Sequence, residues 1–385
     1  MSFRFSLRTL LLALSGSCII AMILAVTWSN WRQAYQRQAM EVLRQHDASV
    51  NLTGTPPDQR LEIWFRGNSG GSVKSLQTQL KALPRIHGLH LMNRVTTSSE
   101  WHALDQLTNV ISLTSNTASD DGVSQISEMA SLEEINFSDS PVSDAIIPTI
   151  SRLRRLRVVG LARTPVHGVG LNNLAHLNDL ESLDLSSTGI TDDTVQSLSA
   201  LKQLRQLDLQ GTAITDVSLP YIGNLINLES LDLSSTSIVG SGLDSLGQLG
   251  RLRILSLAKG TAPVGTFGTW CNCNDELRGL IENIHGKSPA SIDCSVSLTL
   301  LPLFPELREL DITCVHLTNE SVERITRLPH LEVLWADHTH FTDEMLLSLK
   351  MCQSLSTCYV RETNVSPTAI DRLREANPNI TVISQ

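Results

Sequence analysis

The chain has 385 residues, a net charge of -9 and only 4% aromatic residues. The acidic balance excludes recognition of a nucleic-acid backbone, which needs a basic stripe. It leaves room for a basic or mixed protein partner. Sparse aromatics and abundant leucine imply a thin layered core rather than large aromatic pockets.

Residues 1–29 are expected to be an amino-terminal transmembrane anchor. Thr9 to Val26 (TLLLALSGSCIIAMILAV) is almost wholly apolar and about the length of a membrane-crossing helix. Trp28, Trp31 and Tyr35 follow it, where amphipathic rings favour the interface. A cleaved signal peptide is the rival, weakened by the lack of an A-x-A site. Arginines flank both sides, so charge bias orients the span only slightly. A single-pass membrane protein with an exported carboxy-terminal domain is the expected localisation.

Residues 30–60 read as a juxtamembrane helix and linker. Trp31, Ala34, Tyr35, Val42 and Leu43 recur at helical spacings, and Pro56 and Pro57 break any helix.

From residue 61 to 385 one unit recurs. SLDLSSTGITD at Ser182 to Asp192 returns as QLDLQGTAITD at Gln206 to Asp216 and as SLDLSSTSIVG at Ser230 to Gly240, a period of 24. A fixed long period means one supersecondary unit stacked on its own copies. LEIWF at Leu61 to Phe65 reads as a capping strand. Anchor positions then fall at Leu89, Leu113, Ile135, Val159, Leu183, Leu207, Leu231 and Leu255, and resume at Leu310, Leu334, Cys358 and Val382. Within a unit, alternate leucines point inward from a short strand, followed by inward Thr188, Thr212 and Thr236. Thr191-Asp192 and Thr215-Asp216 supply side-chain oxygens where a helix starts.

The pattern L-x-x-L-x-x-L-x-L-x-x-T-x-I-T-D resembles leucine-rich repeats, closest to the cysteine-containing subtype, with Thr at the usual Cys or Asn position. Cys352 in KMCQSL resembles that subtype's helix-side cysteine. RFSLRTLLLAL at Arg4 to Leu14 is similar to the anchor of bacterial membrane-tethered leucine-rich-repeat proteins. The resemblance implies an α/β solenoid, curved, with a concave parallel sheet and convex helices. It also implies protein recognition as the usual function.

Outward strand positions form columns across that sheet. Asp184, Asp208 and Asp232 stack as like charges, with Asp311 further along, and form a candidate acidic binding stripe unless water simply screens them. Trp335, Tyr359, Asp337 and Arg361 project from the same face near the carboxy-terminal end. Exposed aromatics beside arginine are typical interface anchors; packing against the irregular segment is the rival. Cys314, His316, His338 and His340 share one edge and form a candidate zinc site, although they match no standard zinc spacing. Gly67 to Gly71 fits G-x-S-x-G, but reads as a turn between the capping strand and a helix.

Lys259 to Pro302 breaks the rhythm, so an irregular insert at 259–302 is expected, either a binding loop or two degenerate repeats. It carries Cys271, Cys273 and Cys294, suited to a disulfide staple in an exported domain. The leading expectation is a membrane-tethered, non-catalytic module without a cofactor. It would bind a protein or envelope ligand through the concave sheet and insert. Alternatives are a spacer or self-association element, or zinc-dependent activity at the His/Cys edge.

Overall fold

A computed structural model describes residues 33–46, 48–53, 60–66, 73–93, 97–259 and 298–384. Fourteen strands form one sheet in strict chain order. They are β1 (Ala48–Thr53), β2 (Arg60–Arg66), β3 (Ile86–Met92), β4 (Val110–Ser115), β5 (Glu134–Asn136), β6 (Val158–Gly160) and β7 (Ser182–Asp184). Then come β8 (Gln206–Asp208), β9 (Ser230–Asp232), β10 (Ile254–Ser256), β11 (Glu309–Asp311), β12 (Val333–Trp335), β13 (Thr357–Tyr359) and β14 (Thr381–Ile383). All neighbours pair in parallel except β1 and β2.

The anchor residues are register partners throughout. Ile63 faces Leu89, Leu89 faces Leu113, and Leu113 faces Ile135 despite a step of only 22 residues. The missing residues therefore come out of the connection and leave the ladder intact. Leu183, Leu207 and Leu231 are almost wholly buried, and each such side chain contributes roughly 1.5–3 kcal/mol. Because units touch mainly their neighbours, stability accumulates along the stack.

Two hydrogen-bond devices explain the repeated phrase. In the first, the threonine four residues past the strand donates its Oγ1–H to the backbone carbonyl three residues before it. Thr164 to Leu161 measures 2.6 Å, Thr212 to Leu209 2.6 Å and Thr339 to Ala336 2.6 Å. These buried hydroxyls satisfy themselves locally, so the repeat can bury a polar residue at that place.

In the second, the aspartate of I-T-D joins one unit to the next. Asp192 accepts the Thr215 amide at 2.8 Å and its hydroxyl at 2.7 Å, and Asp343 accepts the same pair from Ser366 at 2.7 Å each. Hydrogen bonding from the Ser366 amide and hydroxyl holds the Asp343 carboxyl below its ordinary range. Thr215 and Ser366 are also the amino-terminal caps of their own helical turns. The caps of successive units are thereby tied together.

The elements opposite the sheet are shorter than a full helical layer. Central units use 3-10 turns such as Gln196–Ala200 and Leu243–Gln248, whereas Asn319–Thr326 and Pro367–Ala376 are true α-helices. Cys352 is buried there, its Sγ 3.9 Å from the Ile325 carbonyl, and burial pushes its thiol up to about 11.

Most units turn from strand to helix through a left-handed residue. Asp139, Arg163, Ser187, Gly211, Ser235, Cys314, His338 and Glu362 all have φ between 53° and 66°. Only Gly211 adopts this conformation without steric cost.

The amino-terminal end departs from expectation. Residues 33–45 are helical, and Ala39 and Leu43 are buried in the core while Tyr35 stays 40% exposed. The segment expected as linker contains a strand, β1, paired antiparallel with β2 over six residue pairs. A hairpin and helix thus close that end of the sheet. Among the described residues no helix is long and apolar enough to cross a membrane, and Thr9 to Val26 lies outside them.

At the break in rhythm, β10 pairs directly with β11, Leu255 facing Leu310. That pairing leaves no strand between them among the described residues, and 260–297 of the expected insert lie outside these. The three cysteines at 271, 273 and 294, and Gly67 to Gly71, lie outside the described residues.

Candidate functional site

The residue after each anchor points away from the core, and these residues form one column across the sheet's open face. Asp184, Asp208 and Asp232 are successive register partners in it; Asp311 follows after Ser256. The carboxylates do not stand free on the surface. Each turns back to accept the amide two residues on, at 2.9 Å from Ser186, 2.8 Å from Gln210, 2.8 Å from Ser234 and 2.9 Å from Thr313. This Asx turn ends the strand and carries the chain into the left-handed corner.

Asp232 and Asp311 are buried, and Asp184 and Asp208 half-buried. The sequence expectation is corrected to that extent: these are turn formers under the surface before they are solvated charges. Burial raises all four carboxyl groups above their ordinary range. Asp232 reaches about 6, by burial first, with Asp311 and Asp184 adding repulsion against the hydrogen bonds from Ser234. Asp208 is also raised well above 3.8, by burial and then by Asp232 and Asp184.

In β12 and β13 the same column becomes aromatic. Trp335 and Tyr359 are register partners whose rings stack at 5.7 Å and 11°. Both are half-buried. The Arg361 guanidinium lies 5.5 Å from the Tyr359 ring centre, close enough for a cation–π contact. Buried Asp337 holds it, accepting the Arg361 amide at 2.7 Å, Nε at 2.9 Å and Nη2 at 2.6 Å. All four residues expected at this corner therefore meet in one fixed cluster.

A matching cluster at the other end was not foreseen. Trp64 and His90 stack at 3.8 Å and 18°, and Arg66 lies 5.7 Å from the Trp64 ring. Extending the anchor ladder back to Ile63 puts Trp64 and His90 in the same column. Burial lowers the His90 pKa, so its ring is neutral at physiological pH.

The zinc reading does not survive the geometry. Cys314 and His338 occupy left-handed corners with φ of 59° and 56°, and His316 and His340 meet edge to face at 5.4 Å. The four do not converge: among the described residues no group of three or more His, Cys, Asp or Glu could hold a metal ion.

Comparison with known proteins agrees with this architecture. A family model described as a leucine-rich repeat region matches residues 124–382. No curated protein matches. Among solved structures, the chain is similar to an internalin from Listeria monocytogenes, with 16% identity, 84% of this chain and 86% of that one covered, and a TM-score of 0.55. It is also similar to the leucine-rich-repeat ectodomain of a plant membrane receptor kinase from Arabidopsis thaliana, at 18% identity and a TM-score of 0.47. That match covers 86% of this chain but 38% of the other.

Proposed function

We propose that this chain, which belongs to the leucine-rich-repeat family, is a non-catalytic recognition module tethered to a membrane by residues 1–29, with its repeats exported. Its ligand is a protein or envelope component held on the concave sheet. The observation that carries this reading is the cluster of Trp335, Tyr359, Asp337 and Arg361. Two stacked rings and a clamped guanidinium are rigid before any ligand arrives, which lowers the ordering cost of binding. Short side chains fill the same column in the central units, so the rings rise above their neighbours. The apolar run Thr9 to Val26 supports the tether, and the fold shared with an internalin supports a binding scaffold.

The test is capture of a cross-linked neighbour from native membranes by the wild-type chain and by Trp335→Ala/Tyr359→Ala. The reading expects one reproducible neighbour whose yield falls at least about tenfold in the variant. Undiminished capture, or none from the sheet face, contradicts it and favours a spacer.

A further inference from the structure

Near each end of the column lies an aromatic pair with an arginine two residues further along the chain. At one end these are Trp64, His90 and Arg66; at the other Trp335, Tyr359 and Arg361. Because rings on neighbouring strands stack along the sheet, His90 and Trp335 face the intervening column. Between them, across β4 to β11, no side chain is longer than Asp or Asn, and Gly160 carries none. The result is a trough with a low floor and an aromatic wall at each end.

Its length is set by strand spacing. His90 on β3 and Trp335 on β12 are nine strand steps apart, about 43 Å at about 4.8 Å per step. An extended polypeptide covers that distance with about 13 residues.

Charge selects the occupant. The floor near His90 is neutral, with Thr114, Asn136 and Gly160, whereas the floor near Trp335 carries four aspartates. The fold does not need those charges. Asn136 makes the same turn with an amide oxygen, accepting the Ser138 amide at 2.9 Å. Arg163, paired with Asp139, offsets part of the charge at Asp184 and Asp208, but stacked carboxylates where an amide suffices still cost repulsion, which a cationic ligand relieves.

We propose that the trough holds one extended cationic segment of a partner protein, laid across β4 to β11. Its basic side chains lie over Asp184, Asp208, Asp232 and Asp311, and its ends stop against His90 and Trp335. This rests on the recognition reading above and names the chemistry of the partner.

The test uses the full chain in nanodiscs and fluorescence anisotropy of labelled peptides of about 14 residues, alternating Gly with Arg, Glu or Ser, with spermine as a competitor. The Arg peptide binds, and the Glu and Ser peptides do not. Asp208→Asn/Asp232→Asn weakens it by about tenfold or more, and so do Trp335→Ala and His90→Ala. Both Asn variants keep the turn hydrogen bonds, so a melting temperature at or above wild type separates lost binding from lost folding. Equal binding of all three peptides, indifference to these substitutions, or spermine displacing the Arg peptide at equal charge overturns the proposal. If a cross-linked neighbour maps to the sheet but the Arg peptide does not displace it, this proposal fails and the recognition reading stands. If no neighbour maps there, the recognition reading itself fails.

Discussion

Asp208 and Asn136 occupy the same column and make the same turn, accepting the amide two residues on at 2.8 Å and 2.9 Å. They differ by one charge, which makes Asn136 a template for neutralising Asp208. Asp208→Asn keeps the hydrogen bond and removes repulsion from Asp184 and Asp232. It is expected to stabilise the fold at pH 7 by on the order of 1 kcal/mol, measured by urea unfolding.

The same column dictates a pH dependence. An unfolded aspartate titrates near 3.8, whereas Asp232 titrates near 6 when folded. Between those values the folded state holds a proton that the unfolded state has released, so stability falls as pH rises through the window. The melting temperature is expected to be higher at pH 5 than at pH 7, with a flatter profile in Asp208→Asn/Asp232→Asn. Below about 4 the trend reverses, because Asp192 and Asp343 are held below their ordinary range and lose their interactions on protonation.

Arg361 and Asp337 make three hydrogen bonds across neighbouring units. The Asp337 side chain is 8% exposed and that of Arg361 43%. Solvent therefore screens one partner, and Asp337→Ala should cost about 1.5 kcal/mol, at the low end for a charged hydrogen bond. Because Arg361 then loses its fixed position over Tyr359, partner capture should fall more than stability does. A double-mutant cycle with Arg361→Ala checks the coupling.

The left-handed corners carry conformational strain at non-glycine residues. Ser187→Gly is expected to stabilise the fold by about 0.5 kcal/mol, the relief of strain exceeding the entropy lost by glycine. Gly211→Val, which adds a β-branched side chain at φ 66° and places its Cβ 3.0 Å from the Ser187 Oγ, should cost more than about 1 kcal/mol. Denaturant midpoints read both.

The threonine hydroxyl bonds are individually testable. Thr212→Val keeps the volume of the side chain and deletes its donation to the Leu209 carbonyl, which still accepts the Thr212 amide at 3.2 Å. With no carbonyl left orphaned, the cost should be about 1 kcal/mol.

The ladder was legible in the sequence because a period of 24 places most anchors, and Ile135 keeps register after a short step. The corner from Trp335 to Arg361 was legible for the same reason, since alternation along β12 and β13 sends those side chains to one face. Burial of Asp232 was not, because it depends on how Ser234 and the following turn fold back over it. The hairpin of β1 was missed because ASVNLT lies outside the repeat and pairs in the opposite sense. Trp64 and His90 were missed because the capping strand was not read as part of the column. The zinc idea failed because shared edge position does not bring side chains to one point.

The most direct measurement is site-specific photocross-linking in native membranes from position 335 on the open face and position 351 on the opposite side, where Met351 is 67% exposed. The account predicts one discrete neighbour from position 335 and none in common from position 351. The same products from both positions, or none from 335, would contradict recognition through the sheet.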